Sequence, residues 1–401
     1  MDLTPGLRRV APPDLESVGQ DEALAERIRD EIRRDGPITF ARFMDLALYD
    51  PEGGYYRSGE ARPGRAGDFL TAPETHPIFG GMLSRFVDGV WERLGRPPRF
   101  IVREHGSGEG AMATSILRAL VDARSDVLRA IRYQPVEVDK KRLAAFEYHV
   151  SDVGIGDVTE PADARPVTGI VLANEVLDAL PVHLVVQRGD ELLEVRVGLD
   201  GTRFIDIETA PSTPALFVRL AAEDVTLADD QRAEICLGLD EWVAEAAAGL
   251  ARGILLLIDY GYPAAELYDA VRRRDGTLRA YVRHTVHEDP YAHVGRQDLT
   301  AHVDVDAVVR AAEGAGLTHL GTTTQAEFLV GLGMDERLRA IQADPTTTME
   351  AYLAVRSAVM RLLDPAATGR FRVMAFGRDW PTVHDGSPVA VPGFAYRTRW
   401  R

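Results

Sequence analysis

Two acids and three glycines stand at spacings that can hold a charged, nucleotide-like cofactor. In the stretch IVREHGSGEGAM, residues 101–112, Gly106, Gly108 and Gly110 recur at every second position behind Glu104. Glycine lets backbone amides approach a ligand closely and adopt positive φ, and the amides that open the following helix can hold an anionic group. Glu137 ends the next apolar run, IRYQPVEV (131–138), where a carboxylate can accept both hydroxyls of a ribose. This pairing suits either a dinucleotide or S-adenosylmethionine (SAM). Ala111 would complete a G-x-G-x-x-G/A dinucleotide pattern, yet no nicotinamide-facing catalytic pair presents itself. Glu104 at the head of the turn can bind the ammonium of SAM, whereas it would repel a pyrophosphate. SAM is the favoured cofactor.

Three further stretches carry polar groups that could act. LANEVLDALPVH (172–183) gathers Asn174, Glu175 and Asp178 where an apolar strand ends. They read either as a helix cap with solvated acids in its first turn or as the polar floor of a pocket for the methyl-accepting group. GDFLTAPETHPIFG (67–80) is a loop bearing Asp68, Thr71 and Glu74, and DLTAHVDVDAV (298–308) sets His302 between Asp298 and Asp304. By residue type alone the loop is scaffolding and the histidine a surface or capping group, since a histidine is not assigned as a base without geometry.

The elements that must position these groups alternate between strand and helix. FIVRE (100–104), 131–138, GIVLANEV (169–176) and GILLLIDYG (253–261) are short apolar runs that end in polar residues, as buried parallel strands do. Helices are predicted over 110–123, near 140–149 and over 239–251 by their apolar spacing. Such alternation implies an open, mostly parallel sheet with helices on both faces. Ligands there bind at the carboxyl ends of the strands, which ranks Glu104, Glu137, Asn174, Glu175, Asp259 and Tyr260 highest. Upstream, 21–35 and a helix from about Thr39 carry apolar stripes, the second breaking at YDPEGGYY. Residues 183–208 alternate with Gly-Asp and Asp-Gly turns, hence a β-meander.

The formal charge of −16 argues against a nucleic-acid partner but not against a cationic acceptor. No apolar run is long enough to span a membrane. The single cysteine, Cys236, excludes a disulfide framework and a cysteine-rich metal site, and no metal is expected. The expected location is cytoplasmic.

Read in order, GPITFARFMDLALYDPEGGYY, GDFLTAPETHPIFG, VLANEVLDALPVHLV, LLIDYG, DLTAHVDVDAV and TTQAEFLVGLG make this chain resemble the MidA-like class I methyltransferases. That family includes a mitochondrial complex I assembly factor that methylates a protein arginine. The likeness covers roughly residues 24–376. It implies an α/β fold, a Rossmann-like, seven-stranded SAM-binding sheet with family-specific helical and β-meander insertions. It also implies that Glu104 and the three glycines surround the methionine end of SAM, that Glu137 takes the ribose, and that Asp68, Thr71 and Glu74 help close the cofactor pocket. Asn174, Glu175 and Asp178 then face the substrate side, with Glu175 and Asp178 holding an arginine guanidinium and His302 accepting its proton.

This chain departs from the family's first strand, which usually reads like LVELGPGRG. Here Arg103 and His105 replace apolar residues, Ser107 replaces a proline and Glu109 an arginine, while Asp139 replaces a small residue after the second strand. These changes are expected to alter the electrostatics beside the cofactor. The acceptor is expected to be a protein or peptide, with a small molecule or natural-product peptide, or a non-catalytic assembly role, as alternatives. The expected organisation is a disordered lead-in (1–20), a helical and loop region closing the cofactor site (21–99), a methyltransferase domain (100–378) and a tail (379–401). The meander could wall the substrate site or support a homodimer.

Overall fold

The structure, a computed structural model, describes residues 16–57, 76–283 and 285–394. Apolar runs at 100, 131, 167, 250, 318 and 372 assemble into one six-stranded sheet. Its strands are β1 (Phe100–His105), β2 (Ile131–Val136), β3 (Val167–Asn174), β4 (Leu250–Asp259), β5 (Thr318–Thr324) and β6 (Arg372–Arg378), in the order β5-β6-β4-β3-β1-β2. β1 to β4 pair in parallel, and β6 runs antiparallel between β4 and β5. A seventh strand was expected. Among the described residues its place beside β2 holds only an isolated parallel bridge between Tyr133 and Thr159.

Both faces of the sheet are covered, which is why the central strands β3 and β4 are almost wholly apolar. One face packs the helices Ile78–Arg93 and Ala111–Asp122 through Phe79, Phe86, Ile116 and Leu117. The other packs Leu239–Ala248 and Val305–Gly314 through Val243, Ala247 and Val308. The order reverses between β1 and β3, so the crevice at their carboxyl ends is the topological switch point.

The meander is built as read: Glu191–Asp200 pairs with His183–Arg188 on one side and Arg203–Thr209 on the other. It is not a free-standing insertion. The helices Glu22–Asp35 and Phe40–Tyr49 lay Leu24, Ile28, Phe40 and Phe43 on its Val195, Val197 and Phe204, forming a second core. Ile38 and Thr39 join its edge as a short strand. The region 21–99 is therefore divided: helices Glu22–Asp35 and Phe40–Tyr49 belong to this second core, and helix Ile78–Arg93 to the main sheet. Asp21 and Thr39 cap the first two helices, accepting from Leu24 N at 2.9 Å and Arg42 N at 3.1 Å. Past residue 379, Trp380, Val391 and Phe394 are buried in the main core. No helix among the described residues is long and apolar enough to cross a membrane.

Candidate active site at the switch point

β1 delivers the glycine turn. Gly106 lies at φ 66° and a Cβ there would meet Val176 Cγ2 at 2.7 Å, so the turn needs glycine for both conformation and space. Gly110, at φ 85°, precedes the helix Ala111–Asp122, and a Cβ there would meet the Phe146 ring at 2.8 Å. Gly108 differs: a Cβ there would meet nothing, and its N–H donates to Glu137 Oε2 at 2.8 Å. The Glu137 carboxylate also accepts from Asp139 N at 3.1 Å, tying the glycine turn to the end of β2. Glu104 is buried and accepts from the Tyr133 hydroxyl. Burial pushes its carboxyl up to about 8, against the Tyr133 hydrogen bond and with the Glu137 charge adding to the rise.

β3 and β4 deliver the acidic side. Asp259 ends β4, and its Oδ2 accepts from the N–H groups of Val176, Leu177 and Asp178 at 3.2, 2.9 and 3.3 Å. One carboxylate thus folds the turn that follows β3. Glu175 enters that turn at φ 52°, a left-handed conformation that costs a non-glycine residue about 1–3 kcal/mol. Asn174 Nδ2 donates to Glu175 Oε1 at 3.0 Å. Asp178 is buried; desolvation pushes its carboxyl up to about 6, opposed by a hydrogen bond from Tyr260. Asp259 is raised further, by burial first and then by the charges of Asp178 and Glu175.

Two tyrosines from YDPEGGYY, a segment whose residue types mark a helix stop and a turn, hold the same turn from outside. Tyr49 Oη donates to Ala179 O at 3.0 Å. Tyr56 Oη donates to Asp298 Oδ1 at 2.8 Å, and the two rings stack with centroids 5.5 Å apart. Asp298 begins the short strand 298–300, after which Ala301 N donates to Asp178 O at 2.9 Å. The signal was present in the tyrosines that flank Gly53 and Gly54, Tyr49 before and Tyr56 after, but only the tertiary pairing gives them targets.

Several expectations are corrected. His302 is badly placed to receive a proton: burial and the charges of Arg273, Arg370 and Arg279 push it down to about 3, and its Nδ1 already accepts from Arg273 at 3.0 Å. Arg103 does not face the cofactor. Its side chain runs to the opposite end of the sheet, donating to Gln134 Oε1 at 2.8 Å and Arg165 O at 3.0 Å and lying against Gly249. His105 packs edge-on to Trp242 and is held neutral, its pKa lowered to about 4 by burial and by Arg103. Glu109 is exposed, and Asp139 caps the helix Lys140–Ser151 through Lys141 N at 2.7 Å. Only Ser107 changes the crevice itself. Asp68, Thr71 and Glu74 lie outside the described residues.

The crevice fits SAM. The buried Ser107 Oγ in the glycine turn and Asn174 Oδ1 in the turn after β3 have no hydrogen-bond partner, and a buried polar atom left unpaired is costly. A ligand with donors and acceptors between β1 and β3 satisfies both. Open space beside Gly108 and a carboxyl at each strand end complete a cradle for an ammonium and a ribose.

Comparison with known proteins agrees with this geometry. A family model described as "Putative S-adenosyl-L-methionine-dependent methyltransferase" matches residues 82–323. A Burkholderia thailandensis protein whose crystal structure holds S-adenosyl-homocysteine superposes with a TM-score of 0.84 at 34% identity, over 96% of this chain and 97% of that one. The "Protein arginine methyltransferase NDUFAF7 homolog, mitochondrial" of Drosophila melanogaster is 28% identical over 92% of this chain and 90% of its own length. Its counterpart from Mus musculus is 29% identical over 78% and 74%. These mitochondrial relatives overturn the cytoplasmic expectation, because composition and the lack of an apolar leading segment carry no information on compartment. Fold, switch-point crevice and family match together identify the chain as a SAM-dependent methyltransferase, a member of this MidA-like family.

Proposed function

We propose that the methyl acceptor is an arginine of a protein, bound by the turn after β3. The observation that carries this reading is that Glu175 and Asp178 both stand on the one turn after β3, whose backbone Asp259 ties down, with Asn174 bonded to the Glu175 carboxylate and Tyr260 to that of Asp178. Relatives named protein arginine methyltransferases support it.

SAM, when bound, supplies a methyl already activated on its sulfonium. Glu104 would hold the methionine end and Glu137 the ribose, on either side of a glycine turn whose Gly106, Gly108 and Gly110 amides are spent on Val136 O, Glu137 Oε2 and Ser107 O. Asn174 Oδ1 faces the boundary between cofactor and acceptor. Glu175 and Asp178 accept from the guanidinium N–H groups and fix its plane, so that the attacking nitrogen lies in line with the methyl. As the N–C bond formed and the sulfonium's S–C bond broke, leaving S-adenosylhomocysteine, the nitrogen's proton would pass to Asp178, whose carboxyl near 6 is ionised at neutral pH and basic enough to receive it.

Incubation of the protein with methyl-labelled SAM and a cell extract tests the acceptor: label should enter protein and appear as methylarginine after hydrolysis. Label confined to small molecules would overturn the reading. Glu137→Ala should weaken SAM binding by about 1.5–3 kcal/mol, as for lost charged hydrogen bonds, read by calorimetric titration. Unchanged affinity would show the ribose to lie elsewhere.

A further inference from the structure

This chain has 62 acidic residues against 46 lysines and arginines, and many of its arginines pair with carboxylates. Arg29 pairs with Glu22 and Glu26, Arg42 with Glu31 and Asp45, and Arg188 with Glu208 and Asp230. Others, such as Arg93, Arg132 and Arg378, bond carbonyl oxygens instead, and four arginines without a carboxylate lie together. Arg273, Arg279, Arg370 and Arg372 gather around Tyr262 and His302, and none has a carboxylate partner among the described residues. Clustering like charge without counter-charge is unfavourable in a folded chain, which marks the group as available to an outside anion.

The geometry defines the patch. The Arg273 and Arg372 guanidinium carbons lie 4.0 and 5.9 Å from the centre of the Tyr262 ring. Arg273 is oriented by Glu266 O at 3.0 Å and by His302 Nδ1. Arg279 donates to Leu278 O at 2.6 Å, and Arg372 makes a long contact of 3.4 Å to Gly261 O. Arg370 is exposed, and its charge reaches both His302 and Tyr281. Each guanidinium carries five donors, so most remain unspent. Asp269 feels the charge of Arg273 but spends its Oδ1 on Val271 N and Arg272 N.

The patch adjoins Asp178. Tyr260 bonds the Asp178 carboxyl and sets its ring edge-on to His302, centroids 5.3 Å apart. Arg372 stands opposite Asp259 in the β4–β6 register. A negative floor thus borders a positive rim across one tyrosine, on the side of the crevice away from Glu104 and Glu137.

We propose that Arg273, Arg279, Arg370 and Arg372 form a subsite for a carboxylate side chain of the acceptor polypeptide, close in its sequence to the residue that enters at Asp178. The proposal rests on the reading that the acceptor enters at Asp178. A polyanion such as a nucleic acid is disfavoured by the net charge of −16, whereas one or two carboxylates match the patch. The subsite makes the enzyme selective for arginines with acidic neighbours.

The test uses arginine peptides of equal length carrying glutamate, or glutamine, at positions flanking the arginine. Methyl transfer from labelled SAM and, separately, binding of fluorescent peptides whose arginine is replaced by norleucine are measured on the full chain. Glutamate peptides should have a lower KM than glutamine peptides, with kcat alike, and should bind more tightly in the norleucine series. Arg370→Gln and Arg279→Gln should each reduce this preference about fivefold, the size of a favourable exposed ion pair, with the glutamine peptides turned over as by the parent. Arg370→Glu should prefer lysine-flanked peptides. No preference in the parent protein, or a preference that survives Arg370→Gln and Arg279→Gln, overturns the subsite. Arginine-dependent preference in the norleucine series without methylation of any peptide leaves the subsite standing and refutes arginine as acceptor.

Discussion

Glu104 occupies a position where charge and burial oppose each other. Without a cation beside it, burial keeps its proton on up to about 8, with the Tyr133 hydroxyl as its hydrogen-bond partner. An ammonium arriving at the glycine turn requires the carboxylate, so binding SAM near pH 7 should expel a proton. Calorimetric heats should then vary with the ionisation enthalpy of the buffer, and affinity should rise as pH rises through about 8. Glu104→Gln should abolish both dependences. The sign for stability is opposite: the folded, unliganded chain holds this proton where the unfolded chain has lost it, between the ordinary value of 4.5 and about 8. Thermal stability should therefore fall as pH rises across that interval, and Glu104→Gln should flatten the slope. Equal heats in all buffers would mean that Glu104 is already ionised or does not meet the ammonium. The neighbouring Arg103 looked like the larger anomaly in sequence, yet it acts at the far end of the sheet, where Gln134 and Arg165 O absorb its donors.

The turn after β3 owes its shape to groups outside it. Asp259 gathers three of its N–H groups, Tyr49 holds the Ala179 carbonyl, and Ala301 N holds that of Asp178. Removing one of these contacts should disturb the acceptor carboxylates more than the cofactor cradle, which rests on β1 and β2. Tyr49→Phe keeps the ring stacked on Tyr56 and deletes one hydrogen bond, worth about 0.5–1.5 kcal/mol of stability. Turnover should drop while SAM affinity stays within about twofold, a change below half a kcal/mol. The rise of kcat with pH through about 6, expected as Asp178 ionises, should move with it. An unshifted pH profile beside lowered thermal stability would reduce Tyr49 to scaffolding. Sequence reading saw YDPEGGYY as a helix stop, which it is, but a stop signal does not say which distant carbonyl a tyrosine will reach.

Across the whole molecule, two cores meet at the crevice. The parallel sheet and its helices hold the cofactor side, while the meander with the first two helices backs the acceptor side. Phe43, fully buried, touches Phe40, Phe204 and Tyr291 with ring centroids 5.8, 5.5 and 5.1 Å away. Phe43→Ala should cost about 3–5 kcal/mol, and hydrogen exchange should show the loss in the meander and first helices before β1 to β4. SAM binding should survive at temperatures where methyl transfer has failed; simultaneous loss of both would show one cooperative core. Local pattern alone determined a good deal of this protein: the apolar strands, the glycine turn with Glu104, the strand-end acids and the ordered segments that mark the family are legible because periodicity and turn chemistry act over a few residues. Only the tertiary structure decided that Arg103 leaves the site, that His302 is held neutral by burial and by three nearby arginines, and that Tyr49, Tyr56 and Asp298 brace the acceptor turn. Those outcomes depend on which side chains lie within a few ångströms across one or two hundred positions of chain, where burial and neighbouring charge, rather than residue type, set what a group can do.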